Sequence, residues 1–342
     1  MKKIVLIGLL LVVTGPELVF AQDTSRVNLY RFILGVDVPA APALVAMGRA
    51  PTHVLRGSAP KPVAASLIDA FAPGTSATPG VALDVAPYYL AGGGDWRFSA
   101  YRSRSVAGRL MRVLIKTILS VGVVQAADDP SSLLVGWGVR STLHDPHDPV
   151  LNSRLPEEVA ALLQQHNVPD PGVTQEDVRG LGAPLEPVFT RARQAMRARS
   201  GDAQVSAGWG MAGRLLSGSL VRDSLVAVRH TVWLSGQYTA GPRFDILGTV
   251  QVREAFRSGA VLWIGAGMQR KFRGVDLLAA CTYQTTTRTL HPDLAVDIRL
   301  LSNVALVAAL TAPATSSRSL VDPSSRKLAF RIALRLFTAS DR

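Results

Sequence analysis

The chain has 342 residues, 48% hydrophobic and 18% charged, and its 37 Lys and Arg outnumber 25 Asp and Glu for a formal charge of +12. That apolar content excludes a disordered protein, and the absence of any apolar run near the roughly 20 residues of a spanning helix excludes a multispan helical membrane protein. The single cysteine, Cys281, excludes an intrachain disulfide.

In chain order, Lys2 and Lys3, the apolar run Ile4 to Val13 and the small residue Ala21 predict a secretory signal over residues 1–21, cut after Ala21. An exported, strongly basic chain points to acidic surfaces, lipopolysaccharide among them, rather than nucleic acid. Residues 22–80 carry no strand alternation. They include the Pro- and Ala-rich Ala40 to Met47, and Pro62 to Phe71, where Val63, Leu67, Ala70 and Phe71 fall at helical spacing, so an N-terminal plug, cap or leader segment, helical in part, is expected.

From Val81 onward the apolar residues repeat with period two. The cleanest case is Met111 to Val123, where Met111, Val113, Ile115, Thr117, Leu119, Val121 and Val123 share one face opposite Arg112, Lys116, Ser120 and Gly122. After the turn at Ala126 to Pro130, Leu133, Val135, Trp137, Val139 and Leu143 resume the pattern, which completes a hairpin. The same alternation over Val81–Leu90, Val205–Leu215, Val226–Tyr238, Phe244–Arg253, Ala260–Arg270, Val275–Thr286, Leu294–Leu310 and Lys327–Phe337 brings the strands to ten.

Several of these segments run to about 11 to 17 residues, where globular strands average about 5 to 6 and a tilted membrane-crossing strand needs about 9 to 11. One face is apolar, as lipid requires. The other carries the Gly, Ser, Thr, Gln and Arg that a lumen accepts, whereas a soluble sandwich would not need such length. The reading is all-β: an antiparallel transmembrane β-barrel over residues 81–337 with a 338–342 tail. With both chain ends in the periplasm, the short turns fall inside and the long connections outside, among them a partly helical extracellular loop over 145–201. The unbroken phase through Leu301-Ser302-Asn303 leaves an alternative of twelve strands, with a hidden turn there and an extra strand near Val27 to Val36.

The stretches Pro42-Ala43-Leu44-Val45-Ala46-Met47-Gly48, Val63-Ala64-Ala65-Ser66-Leu67 and Gly80-Val81-Ala82-Leu83-Asp84-Val85-Ala86-Pro87-Tyr88-Tyr89-Leu90 resemble uncharacterised predicted outer-membrane β-barrel proteins of Gram-negative bacteria, and Asp145-Pro146-His147-Asp148-Pro149 fits the same resemblance. It implies a multi-pass location in the outer membrane, contact with lipid and lipopolysaccharide, and insertion by the barrel-assembly machinery. It implies no substrate and no functional residue.

Two groups of side chains are candidates for chemistry. His144, Asp145, His147 and Asp148 form the densest ionisable cluster, where imidazole and carboxylate could share a proton or a cation, although Asp-Pro pairs also shape turns. No nucleophile accompanies them, since Ser141 takes the opposite face from His144 and no G-x-S-x-G occurs. The second group is a lumen charge row of Arg112, Lys116, Arg140, Arg214, Arg229, Arg253, Arg331 and Arg335, with Asp84, Asp245, Asp276 and Asp297 as partners. A basic interior predicts either passage of small anions or a charge network stiffening a closed barrel, and ten or twelve strands predict a narrow or plugged lumen. A surface or envelope protein is the alternative, and a rim hydrolase a further one. No cofactor and no metal is expected.

Overall fold

The computed structural model describes residues 40–50, 52, 54, 55, 63–69, 79–90, 101–126, 129, 131–165, 182–197, 201–215, 225–255, 259–272, 274–301, 304–311 and 329–337. The predicted signal, the Val27–Val36 segment and the 338–342 tail lie outside these residues. Twelve antiparallel strands close into a barrel: β1 Val63–Ile68, β2 Gly80–Val85, β3 Thr117–Gln125, β4 Leu133–His144, β5 Ala203–Leu215, β6 Leu225–Gly241, β7 Phe244–Arg253, β8 Val261–Lys271, β9 Val275–Gln284, β10 Thr289–Leu301, β11 Val304–Thr311 and β12 Ala329–Phe337. Each strand pairs with its sequence neighbours, and β1 pairs with β12 to shut the seam. Five α-helices are described: α1 Pro42–Ala46, α2 Pro87–Leu90, α3 Val106–Ile115, α4 Leu155–Gln165 and α5 Gly182–Arg197.

Twelve strands is the alternative count, reached only partly by the expected route. The hidden turn is present, because Leu301 pairs with Val304 and splits the long Leu294–Leu310 alternation into β10 and β11. The other added strand is β1, which lies where a helix was expected, so the barrel wall begins at Val63 rather than Val81. Val63 and Leu67 stand four residues apart, a spacing that shares a face in a strand as well as in a helix. The opposite correction falls on Met111–Ile115, which is helical. Val106, Leu110, Val113 and Leu114 follow the helical period through the same window, and Ser105 caps the helix by accepting the Gly108 amide at 3.1 Å. The strand at Val81 ends at Val85, and α2 follows at Pro87.

The extra strand also changes which connections share an end. Residue 63, residue 337 and the strand ends joined through 86–116, 145–202, 242–243, 272–274 and 302–303 all lie at one end, the chain-end rim. The connections 69–79, 126–132, 216–224, 254–260, 285–288 and 312–328 lie at the other, called the far mouth. The long 312–328 connection is therefore opposite the other two long ones. Periplasmic chain ends and an extracellular 145–201 loop, combined in the ten-strand reading, cannot both hold.

The expected faces are observed. Outward positions expose Leu119, Val121, Leu234, Ile246, Val250, Ile264, Met268 and Leu294, while their alternates Ser120, Ser235, Asp245, Thr249, Gln251 and Gln269 are buried. Leu234, Val250, Ile264 and Tyr283 lie on paired positions across β6 to β9 and form a continuous apolar band. Trp137, Tyr238 and Tyr283 share this outward face. A charge in the middle of the band costs about 2 to 4 kcal/mol. Val250→Arg should therefore lower the folded fraction, read as the band that shifts on heating before denaturing electrophoresis, and Val250→Leu should leave it unchanged.

Candidate functional site

The barrel interior is occupied by the protein's own chain. Inward positions of β3, β4 and β5 carry glycine where a side chain would collide with α1: a Cβ at Gly136 would lie 2.7 Å from Met47 Cγ, one at Gly138 2.9 Å from Pro42 Cβ, and one at Gly210 2.7 Å from Ala46 Cβ. The glycines thus form a shallow seat that lets a helix backbone approach the wall. Ala41, Ala43, Leu44, Ala46 and Met47 pack there against Ile68, Ala82, Val124, Ala212, Val307 and Ala333, which joins walls on opposite sides of the barrel. The Ala43 amide donates to Ser120 Oγ at 3.1 Å. Gly138→Val should expel α1 while leaving the barrel heat-modifiable. The expected readout is new protease cleavage between residues 40 and 55, absent from the wild type.

Beyond α1 the chain turns at Gly48 (φ +69°) and crosses the lumen. Val54 enters an apolar pocket of Leu247, Leu278, Ala280, Ala295 and Ala309. Thr249 Oγ1 accepts the Leu55 amide at 2.9 Å and donates to the Leu55 carbonyl at 3.3 Å. Arg331 donates to the Ala50 carbonyl at 2.9 Å. Between this segment and the wall, Val45, Gly48, Ala50, Thr52, Gln251 and Arg253 line a cleft of about 10 Å³, room for a single water.

The predicted charge row separates into three groups. Arg140 and Arg335 lie deep on the chain-end side with Asp84 and Asp297. Asp84 is bonded to Ser120 and feels both arginines, and Arg335 stands 4.0 Å from Asp297. At the chain-end rim of β7 and β8, Asp245 pairs with Lys271 at 2.7 Å and accepts from Gln237 and Thr239. Arg214, Arg229, Arg253 and Arg331 gather instead at the far mouth. Arg214 reaches Asp129 at 3.4 Å and Arg229 reaches Glu254 at 3.8 Å, while Arg253 stacks over the Trp263 ring at 4.2 Å within the field of Arg229 and Arg331. Asp69 of this mouth has its pKa raised by burial, against the Ile332 amide, Arg331 and Arg49, which lower it.

Arg112 and Lys116 are not in the row. Arg112 is on α3, where its guanidinium donates to the Tyr101 carbonyl and, at 2.9 Å, to the Ser103 carbonyl. Lys116, between α3 and β3, is buried with its ammonium 2.8 Å from Asp145 Oδ2 and 2.7 Å from Asp148 Oδ2. Tyr101 donates its hydroxyl to Asp148, and burial together with that carboxylate raises the phenol well above its ordinary pKa, so it stays a donor. Asp148 Oδ1 accepts the Val150 amide and caps the 3-10 turn Pro149–Leu151, against which α5 packs. Of the remaining pair, His147 donates its amide to Asp145 Oδ1 and His144 is exposed at the strand end. The Asp-Pro cluster thus fastens the helical connection to the barrel.

Burial disfavours both charged forms here, yet the carboxylates hold the Lys116 pKa above the ordinary lysine value and Lys116 holds that of Asp145 below the ordinary carboxylate value. A lowered acid stabilises above its unfolded pKa of about 4 and a raised base below its unfolded pKa of about 10, so the fastening should be intact between those limits and weaken as pH falls or rises through the shifted values. Lys116→Met leaves two buried carboxylates without their cation, a loss of about 3 to 5 kcal/mol. It should expose α4 and α5 to protease, and adding Asp145→Asn and Asp148→Asn should restore part of the protection.

Residues 40–55 belong to the segment expected as a plug, cap or leader, and their small and apolar side chains did not separate those alternatives. The glycines at alternate positions of β4 and β5 are the signal that could have done so. Trp233 and Trp263 are both inward and buried, a placement that alternation does not mark because indole suits either face. Among the described residues, no three His, Cys, Asp or Glu side chains converge as a metal site.

A closed antiparallel barrel with an apolar outer band and a polar, filled interior is an integral outer-membrane β-barrel protein. In architecture it is similar to the KdgM porin (TM-score 0.41, 7% identity, 81% of this chain and 98% of that one). It is likewise similar to the Ralstonia pickettii toluene transporter TbuX (0.34, 12% identity, 92% and 99%) and to OmpT of Vibrio cholerae (0.27, 12% identity, 84% and 100%). No protein-family model and no curated protein matches the chain.

Proposed function

We propose that this protein is a self-plugged conduit for small anionic solutes, with its chain ends and the 149–197 helices in the periplasm and the far mouth at the cell surface. The observation that carries the reading is the gathering of Arg229, Arg253 and Arg331 around residues 48–50 at the far mouth. Fixed positive charge at a narrow entrance concentrates anions and repels cations. The same side chains hold the plug, so a solute carboxylate or phosphate would compete with the Ala50 carbonyl for Arg331. The orientation is supported by both barrel ends and the three shortest connections between strands sharing one rim.

In a planar bilayer the intact protein should conduct weakly, and removal of residues 40–55 should raise conductance several-fold with anions preferred at low salt. Arg253→Gln with Arg331→Gln in that shortened chain should reduce the preference. Cation preference would reject the reading. The packing of Ala41 to Met47 against both sides of the wall favours a second one, a closed envelope protein, and silence of both forms would select it. For the orientation, a cysteine replacing Ser153, exposed beside the 3-10 turn, should react with an impermeant maleimide only after the outer membrane is permeabilised.

A further inference from the structure

α3 presents its apolar side to the outside. Val106 is 82% exposed, Leu110 57% and Leu114 51%, one ridge at i, i+4 and i+8, whereas the buried Gly108 and Ile115 lie on the opposite side of the helix against the protein. An amphipathic helix of a water-exposed rim would be turned the other way. The ridge runs without a break into the lipid band, because α3 leads directly into β3, whose outward Leu119 and Val121 are 47% and 57% exposed. Its surroundings are basic. Residues 101–116 contain Arg102, Arg104, Arg109, Arg112 and Lys116 and no acid, and once Arg112 and Lys116 are engaged below, Arg104 and Arg109 remain exposed beside the ridge.

We infer that α3 is an interfacial helix, lying in the membrane leaflet at the chain-end rim with Val106, Leu110 and Leu114 among acyl chains and Arg104 and Arg109 at anionic phospholipid headgroups. Continuity with the lipid band supplies the apolar contact and the exposed Arg104 and Arg109 supply the electrostatic one. The helix is held at a fixed height because Arg112 ties it to the Tyr101 and Ser103 carbonyls while Lys116 pins its C-terminal end to Asp145 and Asp148. The choice of phospholipid over lipopolysaccharide rests on the orientation proposed above, which the Ser153 labelling reads separately.

The test places a nitroxide at Leu110→Cys in the otherwise full chain carrying Cys281→Ala, reconstituted in vesicles of phosphatidylethanolamine and phosphatidylglycerol, with heat modifiability confirming the fold. Labels at Val121→Cys and Ser153→Cys serve as lipid and water references. The expected result is high accessibility to oxygen and low accessibility to a water-soluble nickel chelate, at a depth of about 5 to 10 Å below the headgroups. Arg104→Gln with Arg109→Gln should shift the label toward the nickel-accessible state. High nickel accessibility in the parent would mean that the ridge faces water, and low accessibility to both reagents would mean that protein covers it; either result overturns the inference.

Discussion

Within a bilayer every backbone amide and carbonyl must find its partner inside the protein, and here that requirement converges on one short strand. β1 is six residues long and is bonded on one side to β12 and on the other to β2. Without it two long rows of unpaired donors and acceptors would face hydrocarbon, each group at a cost of several kcal/mol. Its inward residues are small or uncharged, Ala64, Ser66 and Ile68, which leaves space for the material that enters from its N-terminal side. The seam and the lumen filling are consecutive pieces of one chain.

The interior is then a problem of matching polar groups at low dielectric. On the chain-end side the solution is pairing, with Asp84 among Arg140 and Arg335 and, at the rim, Asp245 beside Lys271, Gln237 and Thr239. At the far mouth Arg214 and Arg229 likewise meet carboxylates, Asp129 and Glu254, while the other two arginines bond or stack on neutral groups. Arg253 finds an aromatic face and Arg331 a main-chain carbonyl, neither of which cancels its charge. That contrast separates a scaffold of charges from a set still able to attract an ion.

How much of this was legible depended on whether one residue spacing served one structure. The run Phe244–Arg253 alternates so regularly that strand, face and lipid exposure followed together. Val63 and Leu67, and the Met111–Ile115 window, satisfied strand and helix periods at once, and tertiary pairing decided in one case and a Ser105 cap in the other. The turn between Leu301 and Val304 was ambiguous for the same reason, since a reversal of so few residues need not disturb alternation. Ion pairs such as Lys116 with Asp145 and Asp148 join residues about thirty positions apart, a relation that no local pattern carries. The inward parity of Arg140, Arg253, Arg331 and Arg335 was readable, but whether each meets a carboxylate, a ring or a carbonyl depends on which strand closes beside it.

Leu55 in the lumen and Val63 in the wall belong to one chain, with seven residues between them in the sequence. Fully extended they reach about 25 Å, close to the height of the apolar band. A plug that leaves its seat therefore stays within one barrel length of it and is present at a local concentration of order millimolar, whatever the amount of protein in the membrane. Any departure and return would be a unimolecular equilibrium. Its midpoint is set by the stickiness of the glycine seat and the Arg331 hold, and neither dilution nor crowding of neighbouring barrels would move it.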